Sequence, residues 1–507
     1  MTASSNDNDI IQRQIGTAVR HSVVYGLGSM AVKALGFLML PFYTRYLLPS
    51  DYGVLEILDL SISLLGMFLN MGITAALLRS YAAAETAERK RQVVSTAFLV
   101  TAATGLITLL VSVGLVSPIS RLLLGPTVPS RYLLLSLCSF VLAYIANLPR
   151  TYLRAIEASG AFVVVDVVVL FLNLLLNIYF SAVLKMGLAG ILLSSLVVAG
   201  LQVVVLSAWT LHRVGIGFSR KLMQEMARFG LPLILSNLAI YTLNFSDRFF
   251  LQHLQSLDVV GIYAVGYKFG YMLNYLLVQP FFVMWQSRMY LIHAEPDHVR
   301  IFGQIFVLYS ALLTYGALGL SVFSAETVRA MVDARFQSSQ EVIPLVTAAY
   351  LFCGVGYFLQ LGMFLAGKTY LVGIVSAGAA VLNLGLNYLL VLHFGMIGAA
   401  WATLLSFMAI TVGNYWLSQK AFPIPLAIGR VARIIALAVG FYLVARSLPS
   451  ASLAFVLVAK TTLLLIFPVA LWNARVFSAA EMETLTATKD MLIGMVWSKG
   501  RRKVVNA

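Results

Sequence analysis

Long apolar runs alternate with short polar or basic connections from residue 22 to residue 472. Each run holds about 20 residues, enough to cross roughly 30 Å of hydrocarbon as a helix. Within the runs, polar and apolar residues do not alternate as they do in the strands of a transmembrane barrel. A backbone in lipid must also satisfy its own hydrogen bonds, which a helix does within one segment. The pattern predicts fourteen helices, at 22–43, 52–78, 93–116, 132–149, 161–184, 186–211, 229–251, 259–287, 301–325, 342–367, 369–392, 394–419, 427–448 and 451–472. The thirteenth carries Arg430 and Arg433, which leave a short clean apolar core and have to snorkel toward the interface.

Composition agrees with an all-α integral membrane protein. Of 507 residues, 60% are hydrophobic and 11% charged, with a mean hydropathy of +0.90, far from a water-soluble domain. The first 21 residues are polar and show no apolar core before a cleavage site, so the first helix is expected to serve as the membrane signal. Cys138 and Cys353, the two cysteines, both fall inside predicted spans, which argues against a disulfide framework or a cysteine-based metal site.

Assigning alternate connections to two sides places 24 of the 35 basic residues on one side and 8 on the other, with Lys33, Lys268 and Lys460 inside spans. The positive-inside rule then puts both termini of this multi-pass chain in the cytoplasm. The net charge of +15 is thereby a topology signal and does not call for a nucleic-acid partner.

One phrase is written twice. "LNLLLN" (172–177) lies in the fifth span and "LNLGLN" (382–387) in the eleventh, so Asn173 and Asn177 correspond to Asn383 and Asn387. "YTRYLLPSDYG" (43–53) joins spans one and two, "SDRFFLQHLQSLDVVG" (246–261) joins spans seven and eight, and Arg45 corresponds to Arg248. These pairs predict an internal duplication of six helices. Six is even, so two parallel six-helix bundles related by a pseudo-twofold along the membrane normal are expected, plus two C-terminal helices. The expected organisation is a cytoplasmic segment (1–21), an N-terminal lobe (22–213), a cytoplasmic linker (214–228), a C-terminal lobe (229–420), two further spans (421–475) and a basic tail (476–507).

The stretch "LPFYTRYLLPSDYGVLEILDL" (40–60) resembles the N-terminal signature of polysaccharide transporters in the multidrug/oligosaccharidyl-lipid/polysaccharide exporter superfamily, which includes Wzx-type O-antigen flippases. The match rests on Pro41, Thr44, Arg45, Pro49, Asp51, Tyr52 and Gly53, and the duplicated core with two extra spans extends it over nearly the whole chain. The resemblance implies a flippase that moves a polyprenyl-pyrophosphate-linked oligosaccharide, an O-antigen or exopolysaccharide repeat unit, from the cytoplasmic to the periplasmic leaflet by alternating access. It implies ion coupling and no cofactor. Membrane lipids, a polysaccharide polymerase and other export-pathway proteins are the partners it brings with it.

Charged groups inside spans are unfavourable in lipid and normally face a bundle interior or a wet cavity. Span one carries Ser22, Gly26, Ser29, Lys33 and Gly36 at helical spacing, and span two carries Glu56, Asp59, Ser63, Gly66 and Asn70. In span seven Asn237, Tyr241, Asn244 and Arg248 form a stripe, and span eight aligns Lys268, Tyr271, Tyr275 and Gln279. These are the first two helices of each half, which predicts one shared cavity. Lys33, Arg45, Arg248 and Lys268 would give it a cationic wall for a pyrophosphate. The tyrosines, with Asn237 and Asn244, would suit sugar faces. Glu56, Asp59 and Asp166 are the coupling-ion candidates.

Structural alternatives stand beside each assignment. Arg45 and Arg248 lie near span ends and could anchor at the outer interface; Lys33 could pair with Asp59. Asp166 is expected to partner Arg154, the Asn173/Asn177 and Asn383/Asn387 pairs to hydrogen-bond between helices, and Tyr350, Tyr357 and Phe364 to pack. Ser478 and Glu481 form a capping-box pattern that opens an amphipathic helix ending in Lys499, Arg501, Arg502 and Lys503, expected on an anionic membrane surface. No Walker, HExxH or GxSxG sequence is present, so ATP chemistry is not supplied by this chain. The competing functions are a lipid II flippase or multidrug exporter of the same superfamily, and a membrane polysaccharide polymerase or ligase. A drug-cation exporter would want acids where span one carries Lys33. An enzyme generally needs a sizeable extracytoplasmic segment, and the longest expected here is 326–341.

Overall fold

The computed structural model describes residues 37, 39–70, 72–449, 452–478 and 481. The expected N-terminal segment, most of the first span with Lys33, and the amphipathic tail beyond Glu481 lie outside the described residues. Side chains at 229–237 and 239–240 are likewise outside them.

Every described element is helical. In order they are α1 (Leu40–Tyr46), α2 (Pro49–Asn70), α3 (Ile73–Ala82), α4 (Ala87–Leu124), α5 (Arg131–Ala155), α6 (Ser159–Asn177), α7 (Leu188–Val214), α8 (Arg220–Leu254) and α9 (Leu257–Leu273). There follow α10 (Gln279–His293), α11 (His298–Val322), α12 (Ser324–Met331), α13 (Ile343–Leu359), α14 (Leu361–Leu365), α15 (Tyr370–Ala421), α16 (Ile428–Arg446) and α17 (Leu453–Asn473). Single π-turns extend α6 (Ile178–Val183) and join α9 to α10 (Asn274–Val278), and a 3-10 helix covers Ala334–Glu341.

Among the described residues ten helical stretches are long and apolar enough to cross a membrane. One, α15, contains Gly395 at φ 53 and ψ −131, a conformation available to glycine that splits it into two arms. These stretches overlap eleven of the predicted spans, and the break at Gly395 falls at the start of the expected twelfth, close to the separation from the eleventh. The seventh and eighth predicted spans coincide with α8 and with α9 through α10, which carry Asp247, Arg248 and Lys268. Local starts follow the sequence: Thr86 Oγ1 accepts from Arg89 N at the head of α4, Ser219 caps α8 and Ser452 caps α17.

The chain forms two compact units. The first holds residues up to Val265 with 329–338 and 384–399, and the second holds Gly266–Val328, Ser339–Asn383 and the remainder from Ala400. In the first unit Ile73, Leu77, Val93, Phe98, Val141 and Leu222 build a core from α3, α4, α5 and α8. On α6 the exposed residues Val164, Val168, Phe171 and Leu175 recur at i, i+4, i+7 and i+11, an apolar stripe that suits acyl chains. In the second unit α16 and α17 pack on α11 through Val307, Leu318, Ile434 and Phe467, so the two C-terminal helices share its core. Lys460 of α17, a lysine inside the last predicted span, is paired with Glu326 of α12 at 2.8 Å. Ser478 and Glu481 form the expected reciprocal cap, and Glu481 also holds Arg430 at 2.8 Å.

Candidate functional site

The signature stretch packs as a junction of three segments within the first unit. Thr44 is fully buried; its hydroxyl donates to the Leu40 carbonyl at 3.0 Å and accepts from the Asp333 N–H at 3.4 Å. Arg335 Nη2 donates to the carbonyls of Thr44 (3.2 Å) and Arg45 (3.1 Å) at the C-terminal end of α1, where a cation also meets the negative end of the helix dipole. Arg335 Nε donates to Asp333 Oδ1 at 2.8 Å, and these hydrogen bonds from Arg335 hold the Asp333 carboxyl below its ordinary value. Tyr52 is buried edge-on against Phe336 with ring centres 5.9 Å apart.

Glycine is required where α2 and α9 cross. A Cβ on Gly53 would sit 1.9 Å from the Leu257 carbonyl oxygen, and one on Gly261 would sit 2.0 Å from that of Pro49. The contact is reciprocal: in each helix the glycine lies four residues after the carbonyl that faces its partner. These are the two connections matched in the duplicated sequence.

Beneath that crossing lies a buried charge cluster. Arg248 is 1% exposed; its Nη1 donates to Asp247 Oδ1 at 2.7 Å and to the Asn244 carbonyl at 2.9 Å. Its Nε lies 3.8 Å from Glu56 Oε1 of α2. The Tyr263 hydroxyl of α9 donates to the other oxygen of Asp247, and the Tyr263 ring lies 5.1 Å from the guanidinium carbon. Tyr241, about two turns before Arg248 on α8, is buried and donates to the Leu60 carbonyl at 2.5 Å. Of the residues anticipated from sequence, Glu56, Tyr241, Asn244 and Arg248 thus come together. Asp247 and Tyr263 were missed: a stripe search discards Asp247, which neighbours Arg248 at i−1, although two opposite charges side by side in an apolar span were themselves a signal.

The other anticipated residues are dispersed. Arg45 is exposed at the end of α1, and Asp59 is exposed nearly one turn beyond Glu56. Asn237 lies on α8 at a position whose side chain is outside the described set. Asp166 of α6 is paired with Arg150 of α5; the expected Arg154 lies one turn further along the same side of α5. Asn177 donates to the Tyr43 hydroxyl at 3.1 Å, and Asn383 donates to Ser406 at 3.1 Å between the two arms of α15, whereas Asn173 turns back on its own helix to the Val169 carbonyl.

In the second unit Lys268 is exposed on α9. Tyr271 packs edge-on against Tyr275 (4.5 Å) and Tyr350 (4.6 Å), and the Tyr267 and Tyr350 hydroxyls are 2.6 Å apart. Tyr275 lies in the π-turn and is 40% exposed, so this aromatic group has one accessible edge. Tyr357 stacks on Phe282 at 4.7 Å, a packing role.

The profile of the family described as polysaccharide biosynthesis protein matches residues 18–284. No curated protein matches the chain by sequence. Among solved structures, a lipid II flippase MurJ in an inward closed conformation superposes with a TM-score of 0.72 at 12% identity, covering 90% of this chain and 100% of its own. An inward-facing multidrug resistance MATE family transporter of the MOP superfamily gives 0.59 at 13% identity, covering 80% and 96%. A MOP superfamily transporter from Pyrococcus furiosus gives 0.51 at 15% identity, covering 80% and 95%. The chain therefore belongs to the polysaccharide biosynthesis protein family, as a multi-pass integral membrane protein with the fold of MurJ and MATE transporters.

Proposed function

We propose that this protein is a flippase that carries a polyprenyl-diphosphate-linked oligosaccharide, an O-antigen or exopolysaccharide repeat unit, from the cytoplasmic to the periplasmic leaflet of the bacterial inner membrane. The observation that carries the proposal is the family match over residues 18–284 in a chain with a transporter fold. Alternating access by two six-helix lobes, 22–213 and 229–420, with both termini cytoplasmic, is the mechanism proposed for it. Lys33, Arg45 and Lys268 would meet the diphosphate, and the open edge at Tyr271 and Tyr275, with Asn237, would meet sugar rings.

Arg248 takes a different part in this proposal. A guanidinium already engaged by Asp247, with Glu56 beside it, has less to offer a phosphate than an exposed cation has. Glu56 and Asp59 of α2 would instead sense the coupling ion, because a proton or cation arriving at Glu56 changes how strongly Arg248 is held. Asp166, held by Arg150, is the weaker third site.

The test is made in the native host. Cells depleted of the protein are expected to accumulate polyprenyl-diphosphate-linked oligosaccharide and to lose the matching surface polysaccharide. Surface polysaccharide at the normal level after depletion would reject the proposal. Rescue of a cell lacking its lipid II flippase would move the cargo to the peptidoglycan precursor.

A further inference from the structure

We propose that an arginine-lined basin in the first unit, on the face that the distribution of basic residues assigns to the cytoplasm, binds a diphosphate group and is where the lipid-linked substrate is first held; this rests on the flippase proposal. The basin is a cavity of about 820 Å³, within the range of small-molecule sites, formed by the end of α3, the turn 83–86, the head of α4 and the first turns of α8. Arg79, Arg89 and Arg228 line it, with Ser80 and Thr86 supplying hydroxyls. Its floor is apolar: Ala76 and Leu222 are 1% and 2% exposed and belong to the core of the unit.

Two carboxylates, Glu85 and Glu225, also line the basin. They do not use up the guanidinium groups, since among the described residues neither Arg89 nor Arg228 makes an ion pair. Among the described residues the one side-chain hydrogen bond of the Arg89 guanidinium is a 3.4 Å contact with Gln92, which leaves most of its donors for a ligand. Arginine presents paired N–H groups that fit two phosphate oxygens at once, so three of them around one cavity suit a group with two phosphates. An apolar floor strengthens each contact relative to open water. The walls are fixed before a ligand arrives. Thr86 and Ser219 cap α4 and α8, and the linker is tied to α4 by hydrogen bonds from Gly217 N to Ser95 (2.7 Å) and from Ser219 N to Thr96 (3.1 Å).

A diphosphate could reach this basin on the substrate or as free inorganic diphosphate, and a phospholipid headgroup shares part of its chemistry. The experiment uses the full-length protein in nanodiscs of neutral phosphatidylcholine, titrated with inorganic diphosphate or polyprenyl diphosphate, and repeated in discs containing phosphatidylglycerol. Wild type is expected to bind both diphosphates, and the Arg89→Gln/Arg228→Gln double variant to bind each about tenfold more weakly, as expected for lost charge-assisted hydrogen bonds. Glu225→Gln, which removes a negative charge, should tighten both; a gain cannot come from damaged folding. Equal affinity in the double variant and wild type, or no gain in Glu225→Gln, overturns the site. Loss of diphosphate binding in phosphatidylglycerol discs assigns the basin to lipid headgroups and overturns the loading role. If the site binds as expected but depleted cells keep their surface polysaccharide, the flippase proposal fails and the anion site stands.

Discussion

Two arginine sites in the same unit are built on opposite terms. Around Arg248, residues from α2, α8 and α9 enclose the cation completely and supply two carboxylates and a tyrosine hydroxyl. Around Arg79, Arg89 and Arg228, the guanidinium groups border an open cavity whose glutamates stand apart from Arg89 and Arg228. A buried cation that loses a partner leaves an uncompensated charge, whereas an accessible one is rehydrated. The first arrangement therefore bears on whether the chain folds, and the second on what the folded chain can hold.

The largest separation is expected from removing the buried cation. Arg248→Ala leaves Asp247 buried without its guanidinium and should lower stability by about 3–5 kcal/mol, read as lost abundance and early thermal unfolding in detergent. A wild-type melting curve for this variant would erase the distinction. Next in size is the crossing above the cluster. Gly53→Ala or Gly261→Ala forces a methyl onto a carbonyl of the facing helix and should cost about 1–3 kcal/mol each. The double variant should fall short of the summed losses, because both methyl groups push the same two helices apart. Tyr263→Phe sharpens the comparison by removing one hydrogen bond to a charged group, for about 2 kcal/mol, with the ring still over Arg248.

Smaller effects belong to exposed pairs. Asp333 lies outside the spans and its carboxyl is held below 3.8 by Arg335. Its contribution is present above that ordinary value and is lost as pH falls through the lower folded value. Wild type should thus lose stability on acidification below about pH 4 more steeply than Asp333→Asn, by under about 1 kcal/mol for so accessible a pair. Parallel acid melting curves for the two proteins would remove this role. The smallest change in stability, within about 0.5 kcal/mol, is expected for Arg228→Gln in the basin, in contrast to Arg248→Ala.

Much of the fold was legible because lipid imposes a simple rule on sequence. A span must be about 20 apolar residues whatever surrounds it, so ten helical stretches overlap eleven of the predicted spans, with ends displaced by several residues, and Gly395 marks the break inside α15. The site was legible by helix and less so by residue. Helical spacing brought Tyr241, Asn244 and Arg248 onto one stripe, and the structure groups them with Glu56. Partner choice depends on tertiary approach, which spacing does not encode. Asp166 met Arg150 one turn before the expected Arg154, and Asp247 entered through a side-chain orientation invisible to a stripe. The signature residues Thr44, Tyr52 and Gly53 serve a junction whose other members, Leu257, Asp333 and Phe336, are more than 200 positions away in sequence. Arg79, Arg89 and Arg228 registered as topology charges alone, since their convergence requires α3, α4 and α8 to be folded together.

The most direct measurement is translocation by the purified protein in sealed liposomes loaded with a polyprenyl-diphosphate-linked oligosaccharide, scored by the sugar that becomes accessible to an impermeant reagent under an imposed proton or sodium gradient. The account predicts transfer that requires the protein, responds to one of the gradients and is reduced in Glu56→Gln. Accessibility equal to that of protein-free liposomes under every gradient would contradict it.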